Sequence, residues 1–331
     1  MTSNPPYWGS RGRRFKSGRP DGFSERRGNH LGTTSSSWLL AACSAVGLTA
    51  CHVGATVGGE PATGWSGMSL VAVPDDGEVY IAGSGMSYAG RQLRAATGVP
   101  VVWVSDRPVG SAGIIWAEVA KKSAESGLQP FLLSGMPGGT ARPWDTGEQV
   151  SEPEDTAAID RVDAAGVLEG WWWAVSEDDL AEDEDLREML APFGGRFPGL
   201  ALAVEEELDP ELMRRAVMQY TRPARIGLVP AARPADILPR LGWAGACNNR
   251  TASELAVVLR SWEDRFGARV LEVGFDDIRL LVSRPPQTLE AAQPIAAEHL
   301  AFADEAHQGL RGVGWIARAI VNNPFWDFWW D

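Results

Sequence analysis

From Glu78 onward, short runs of β-branched and aromatic residues alternate with longer stretches in which apolar residues recur at helical spacing. Residues 79–82, 99–104 and 130–133 read as strands, and residues 88–97 and 112–126 read as helices closed by Gly98 and Gly127. That order makes a layered αβ unit. A second unit opens with a helix around 210–219 and a strand at 225–229. Next comes the clearest element of the chain. Thr251 and Glu254 form a capping box, and Leu255, Val258, Leu259, Trp262 and Phe266 fall on one face of a helix that Gly267 ends. A strand over 269–275 and a turn at Asp276-Asp277 lead into a strand with Ile278, Leu280 and Val282 on one face and Arg279 and Ser283 on the other. Pro285-Pro286 stops it. Residues 288–302 read as a helix bent at Pro294, and the chain closes on Pro324-Phe325-Trp326-Asp327-Phe328-Trp329-Trp330-Asp331.

Charge sharpens the division. Between Ser176 and Glu188 stand Glu177, Asp178, Asp179, Glu182, Asp183, Glu184, Asp185 and Glu188 against a single Arg187. Such a run repels itself and resists burial, so it marks the boundary between two lobes. A hard-cation site would need carboxylates and carbonyls converging from a shaped loop, which a solvated stripe does not supply. Residues 1–67 carry seven basic and three acidic residues, a net +4, and the remaining 23 basic and 40 acidic residues give −17. The first segment is rich in Gly, Ser and Arg without periodicity, a composition that cannot offset the entropy of ordering.

The whole chain has 331 residues, 44% of them hydrophobic and 22% charged, enough for a real core. No apolar run reaches the roughly 20 residues of a membrane span. The net charge of −13 opposes a phosphate backbone, which argues against nucleic acid. Three cysteines exclude a disulfide scaffold, and Cys247 alone remains after Cys51, which fits a reducing compartment. Leu48-Thr49-Ala50-Cys51 after an apolar stretch has the form of a lipoprotein cleavage box, although Leu40-Ala41-Ala42-Cys43 interrupts the same stretch with another.

Several constellations carry chemistry in principle. Gly83-x-Gly85 between a strand and the expected 88–97 helix has the order of a dinucleotide-binding turn, but Tyr88 occupies the position of the third small residue. Gly85-Met86-Ser87-Tyr88-Ala89 resembles a nucleophile elbow, with Asp276 or Asp277 and His299 or His307 completing the order. Only about 20 structured residues precede it, too few for the strands that the elbow normally follows. His299, Asp304 and His307 form the one candidate metal set, at a spacing that matches no standard ligand box. Fifteen tryptophans include Trp171-Trp172-Trp173 and three in the last six residues. On a strand, adjacent rings point to opposite faces, so one can reach the core and its neighbour a partner.

Arg260-Ser261-Trp262-Glu263-Asp264-Arg265-Phe266-Gly267-Ala268-Arg269-Val270, the Pro285-Pro286 stop, Ala297-Glu298-His299 and the terminal Trp326-x-Phe328-Trp329-Trp330-Asp331 closely resemble a bacterial family, domain of unknown function 4253. The resemblance covers about residues 225–331. Arg142-Pro143-Trp144-Asp145-Thr146-Gly147 and the Trp171 cluster resemble the amino-terminal part of actinobacterial members. It implies a compact αβ domain in the cytoplasm and no established activity, cofactor or catalytic residue.

The expected fold is α/β, with α+β the alternative: a layered mixed sheet flanked by helices, in two lobes, after a disordered N-terminal extension. The expected boundaries are 1–67 for the extension or leader, 68–175 for the N-terminal αβ lobe, 176–208 for the acidic linker and 209–331 for the C-terminal family domain. The leading functional expectation is a non-enzymatic cytoplasmic module, of immunity or regulatory type, that binds a protein with a basic surface through an acidic, Trp-bearing face. One alternative is an enzyme or small-ligand or nucleotide-binding protein with a pocket between the lobes. Another is an exported lipoprotein with Cys51 as its lipidation site. The nominated binding residues are Arg142, Trp144, Asp145, Trp262, Glu263, Arg265, Trp329, Trp330 and Asp331, with Arg142, Arg265 or Arg269 expected to receive the Asp331 carboxylates. No catalytic residue and no cofactor is nominated.

Overall fold

The computed structural model describes residues 72–81, 85–135, 142–172, 175–219, 224–303 and 312–330. Residues 1–71 with the Cys51 box, Gly83, Trp173, Asp304, His307 and Asp331 lie outside the described residues. Within them, β1 (Gly77–Ile81), β2 (Met86–Arg94), β3 (Pro100–Ser105), β4 (Leu128–Leu133), β5 (Arg225–Pro230), β6 (Ala268–Val273), β7 (Asp277–Val282) and β8 (Phe325–Trp329) form one mixed sheet. Its order is β1-β2-β3-β5-β4-β6-β7-β8. The protein is therefore α/β, as its sequence pattern implies. The two expected lobes share this sheet, because β5 from the second lies between β3 and β4 from the first.

The central strands are apolar on both sides, and every residue of β5 is buried. Alternation sends Val102, Val104, Phe131 and Leu133 to one core and Trp103, Leu132, Ile226 and Leu228 to the other. The first core is covered by α3 (Ala164–Trp171), α7 (Ile237–Leu241), α8 (Ala252–Phe266), α9 (Leu289–Phe302) and α10 (Val313–Ile320). The opposite face carries α1 (Ala112–Lys121), the short α2 (Ser123–Ser126) and α6 (Pro210–Gln219).

The expected helix at 88–97 is instead β2, which pairs antiparallel with β1 and β3. Its Arg, Gln, Leu and Ala residues suit a helix in isolation, but cross-strand pairing prevails over that weak preference. Gly90 shows why the strand is required. A Cβ there would stand 2.2 Å from Trp103 Cζ2, so the indole lies flat across β2 only because that position has no side chain. With a strand after Gly85, the dinucleotide turn and the nucleophile elbow both lose the helix their chemistry needs.

The acidic run folds as α4 (Glu177–Glu182) and α5 (Glu184–Leu190), capped by Ser176 and Asp183. Its carboxylates face solvent, while Met189 and Leu190 enter the core. The capping box at Thr251 and the left-handed Gly267 bound α8, as the sequence pattern requires. Arg260 and Asp264, four residues apart on α8, do not pair with each other. Arg260 binds Asp236 at 2.7 Å and Asp160 at 2.6 Å, and Asp264 binds Arg233 at 2.5 Å. Beneath α8, Trp326, Phe328 and Trp330 drive inward from β8, while Trp329 points the other way and is 38% exposed.

Candidate functional site

β4 and β6 run parallel, but their ladder joins only Leu132 to Glu272 and Leu133 to Val273. At the opposite, amino-terminal ends of these strands lies a cavity of about 340 Å³, lined by Ser123, Gln129, Glu263, Gly267, Arg269 and Ser283 among others. Strand alternation explains how Arg269 reaches it. Ala268 and Val270 pack into the α8 core, which turns the residue between them to the other face, toward α1.

The Arg269 guanidinium donates from Nη2 to Ser123 Oγ at 3.3 Å, and its centre stands 5.9 Å from the Trp116 ring. Its Nε is buried without a hydrogen-bond partner, and no carboxylate forms an ion pair with it among the described residues. Burial pushes its pKa down, but a guanidinium keeps its charge at any ordinary pH. Gln129, 3% exposed, donates to the Ala231 carbonyl at 3.4 Å and leaves Oε1 buried and unpartnered. The Glu263 carboxylate accepts from Arg233 Nε at 3.3 Å and from the Ala235 amide at 3.2 Å. Burial raises its pKa, against the opposing pull of Arg233. The cavity thus combines a guanidinium in ion-pair contact with no carboxylate among the described residues and the Glu263 carboxylate, which acts on it at longer range.

Arg269 also lines a second hollow of about 530 Å³ between α1, α6 and the sheet. Trp116, Ala120, Met213, Val217 and Leu281 make its walls, and Ile114 and Met218, 39% and 43% exposed, stand on its rim. Two other cations line it, and each has an acid of its own: Lys121 binds Glu118 at 2.6 Å and Arg214 binds Glu211 at 2.7 Å.

The residues nominated from sequence scatter. Arg142 binds Glu148 at 2.8 Å, and this pairing holds the Glu148 carboxyl below its usual range. Asp145 is clasped by Arg225 and, at 2.5 Å, by Arg91; the bond from Arg225 is the main reason its pKa is lowered. Trp144 is fully buried and donates to the Ser134 carbonyl. Trp262 and Trp330 are equally buried and present no surface, which leaves Trp329 as the exposed member of that set's tryptophans. Glu263 alone lines the Arg269 cavity. Arg265 is committed to Glu298, whereas Arg269 donates only to the neutral Ser123 hydroxyl; Asp331, expected to be received by one of them, lies outside the described residues. His299 lies in the aromatic core, 5.0 Å from Trp262 and 4.4 Å from Trp326 between ring centroids. Burial lowers its pKa to about 3. Among the described residues no group of three His, Cys, Asp or Glu side chains is placed to hold a metal.

Gln129 went unnoticed in the sequence, and Arg269 stood out only as a possible receiver for Asp331. One signal was available: a lone arginine inside the apolar strand Ala268-Arg269-Val270-Leu271.

Residues 225–331 match the model of Domain of unknown function (DUF4253). No curated protein and no solved structure matches the chain. The DUF4253 segment begins at the first residue of β5 and contributes β5 to β8, but β4, which lies outside it, separates β5 from β6. It supplies Glu263 and Arg269, whereas Ser123 and Gln129 come from the preceding part.

Proposed function

We propose that this chain is a non-enzymatic binding protein whose ligand is a small monoanion held at Arg269. One observation carries the reading: a partly buried guanidinium, hydrogen-bonded to Ser123 and in ion-pair contact with no carboxylate among the described residues, belongs to a residue that lines a cavity large enough for a small molecule. A carboxylate matches the planar donor fork of the guanidinium. Glu263 across the same cavity disfavours a dianion. The free, exposed Cys247 supports a reducing, cytoplasmic setting. The test is thermal melting of the full chain with benzoate and acetate. Stabilisation in the wild type that Arg269→Gln abolishes supports the site; equal melting shifts in the two proteins would remove it.

A second reading, that of a regulatory or immunity-type module for a basic protein, draws on the outer face of β7 and β8. There Trp329 is 38% exposed and pairs across the ladder with Asp277, and Asp327 binds Arg279 at 2.5 Å. The charge of −17 beyond residue 67 would steer a basic partner toward this face. Cross-linking in native lysate tests it: a stoichiometric basic partner that is lost with Trp329→Ala and in high salt is the expected result.

A further inference from the structure

Resting on the Arg269 site proposed above, we infer that its ligand is amphipathic: a monocarboxylate whose charged end meets Arg269 and whose apolar chain lies in the groove between α1 and α6. Arg269 lines both the cavity and the apolar groove, with its guanidinium 3.3 Å from Ser123 Oγ and 5.9 Å from the Trp116 ring. A carboxylate bound there can carry its substituent only along one of these two spaces. The cavity side sets the Glu263 carboxylate, Gln129 and Ser283 among Ala124, Ala232 and Pro234, so a hydrocarbon there would lie against a carboxylate. On the groove side, Trp116, Val217 and Leu281 are nearly buried and offer an apolar floor, and Met213 and Met218 of α6 supply unbranched, adaptable walls.

Charge selects the same class of molecule. Lys121 and Arg214 at the groove are each paired with an acid, Glu118 and Glu211, so among the described residues lining it Arg269 is the cation without an ion-paired carboxylate. A single cation suits a single carboxylate better than a phosphate dianion. The exposed Ile114 and Met218 at the rim are the groups such a chain would cover.

Isothermal titration of the full-length protein with acetate, hexanoate and decanoate, and with decanol as the uncharged control, tests the inference. Affinity should rise by about fourfold for each methylene that enters the groove. Decanoate should exceed decanol by about tenfold or more, and Arg269→Gln should erase that preference. Because Arg269→Gln can disturb packing, Met218→Glu on the exposed rim provides a second variant, expected to weaken decanoate binding without loss of thermal stability. A flat series from acetate to decanoate overturns the chain placement while leaving the Arg269 anchor standing. Failure of every carboxylate to bind overturns both. Equal binding of decanol and decanoate overturns the anchor. Sedimentation of the same samples covers the remaining occupant: a dimer split by Met218→Glu and indifferent to decanoate would assign the groove to a second copy of the chain.

Discussion

Arg265 and Glu298 meet through two parallel hydrogen bonds, of 2.8 and 2.6 Å, at a point where Glu298 is completely buried. The same carboxylate accepts from Trp262 Nε1 and from the Ala201 amide, each at 2.7 Å, so its acceptor capacity is filled. The pair ties α8 to α9 and to the extended segment around Ala201. Removing one partner strands the other charge in the core. Glu298→Ala or Arg265→Ala should lower the unfolding free energy by about 3–5 kcal/mol, and the double change Arg265→Met with Glu298→Leu should recover part of that loss. Urea titration with an unchanged slope is the measurement; single variants that melt like the wild type would show that the pair carries no such weight.

Two groups give the stability of the protein opposite pH slopes. His299 titrates in the folded state near 3, below its ordinary 6.5, because burial disfavours its charged form. Its contribution is present above about 6.5 and is lost as pH falls toward 3, by at most about 1.4 kcal/mol per unit. Asp277 is raised from 3.8 to about 7 by burial and then by Glu272, Asp276 and Asp327, against Arg279. Its contribution is present in full below 3.8 and fades as pH rises through 7. Between about 4 and 6.5 the slopes oppose one another. Asp277→Asn should therefore steepen the loss on acidification, and His299→Phe should turn stability downward with rising pH, both readable from melting temperatures across that window.

Gly90 admits no side chain. Gly90→Ala places a methyl group within the Trp103 ring and should cost about 1–3 kcal/mol, the usual penalty for overpacking. Differential scanning calorimetry would report it, and a neutral substitution would mean that the β2–β3 contact yields easily.

The terminal strand separates interior from exterior residue by residue. Phe328, stacked on Trp262 at 5.2 Å and 5% exposed, should cost about 3–5 kcal/mol when cut to alanine. Its neighbour Trp329, pointing outward, should change stability by only about 0.5 kcal/mol. Similar losses at the two positions would contradict the alternation.

Strong local signals were legible in the sequence. The Thr251 capping box and the apolar face of α8 follow from spacing, because helix caps and helical periodicity are local rules. β2 was misjudged because its conformation is decided by β1 and β3 on either side, and no local pattern records a Trp103 ring waiting over Gly90. The ion pairs of Arg260 and Arg265 reach residues 24 and 33 positions away, beyond any helical spacing rule. The site was hidden for a related reason. Gln129 and Arg269 are ordinary polar residues until a strand that continues poorly paired brings them to one cavity.

The place of β5 in the sheet bears on how the chain is made. While residues 1–224 emerge from the ribosome, β3 and β4 have no neighbour between them, and β4 lacks its ladder partners on either edge until β5 and β6 are synthesised. The nascent chain must keep these apolar strands from pairing with other chains over that interval, which makes it a natural client for a chaperone. A fragment cut at residue 225 inherits the complementary defect, with β5 and β6 facing a vacant slot, so it should be insoluble unless the first half is supplied in trans.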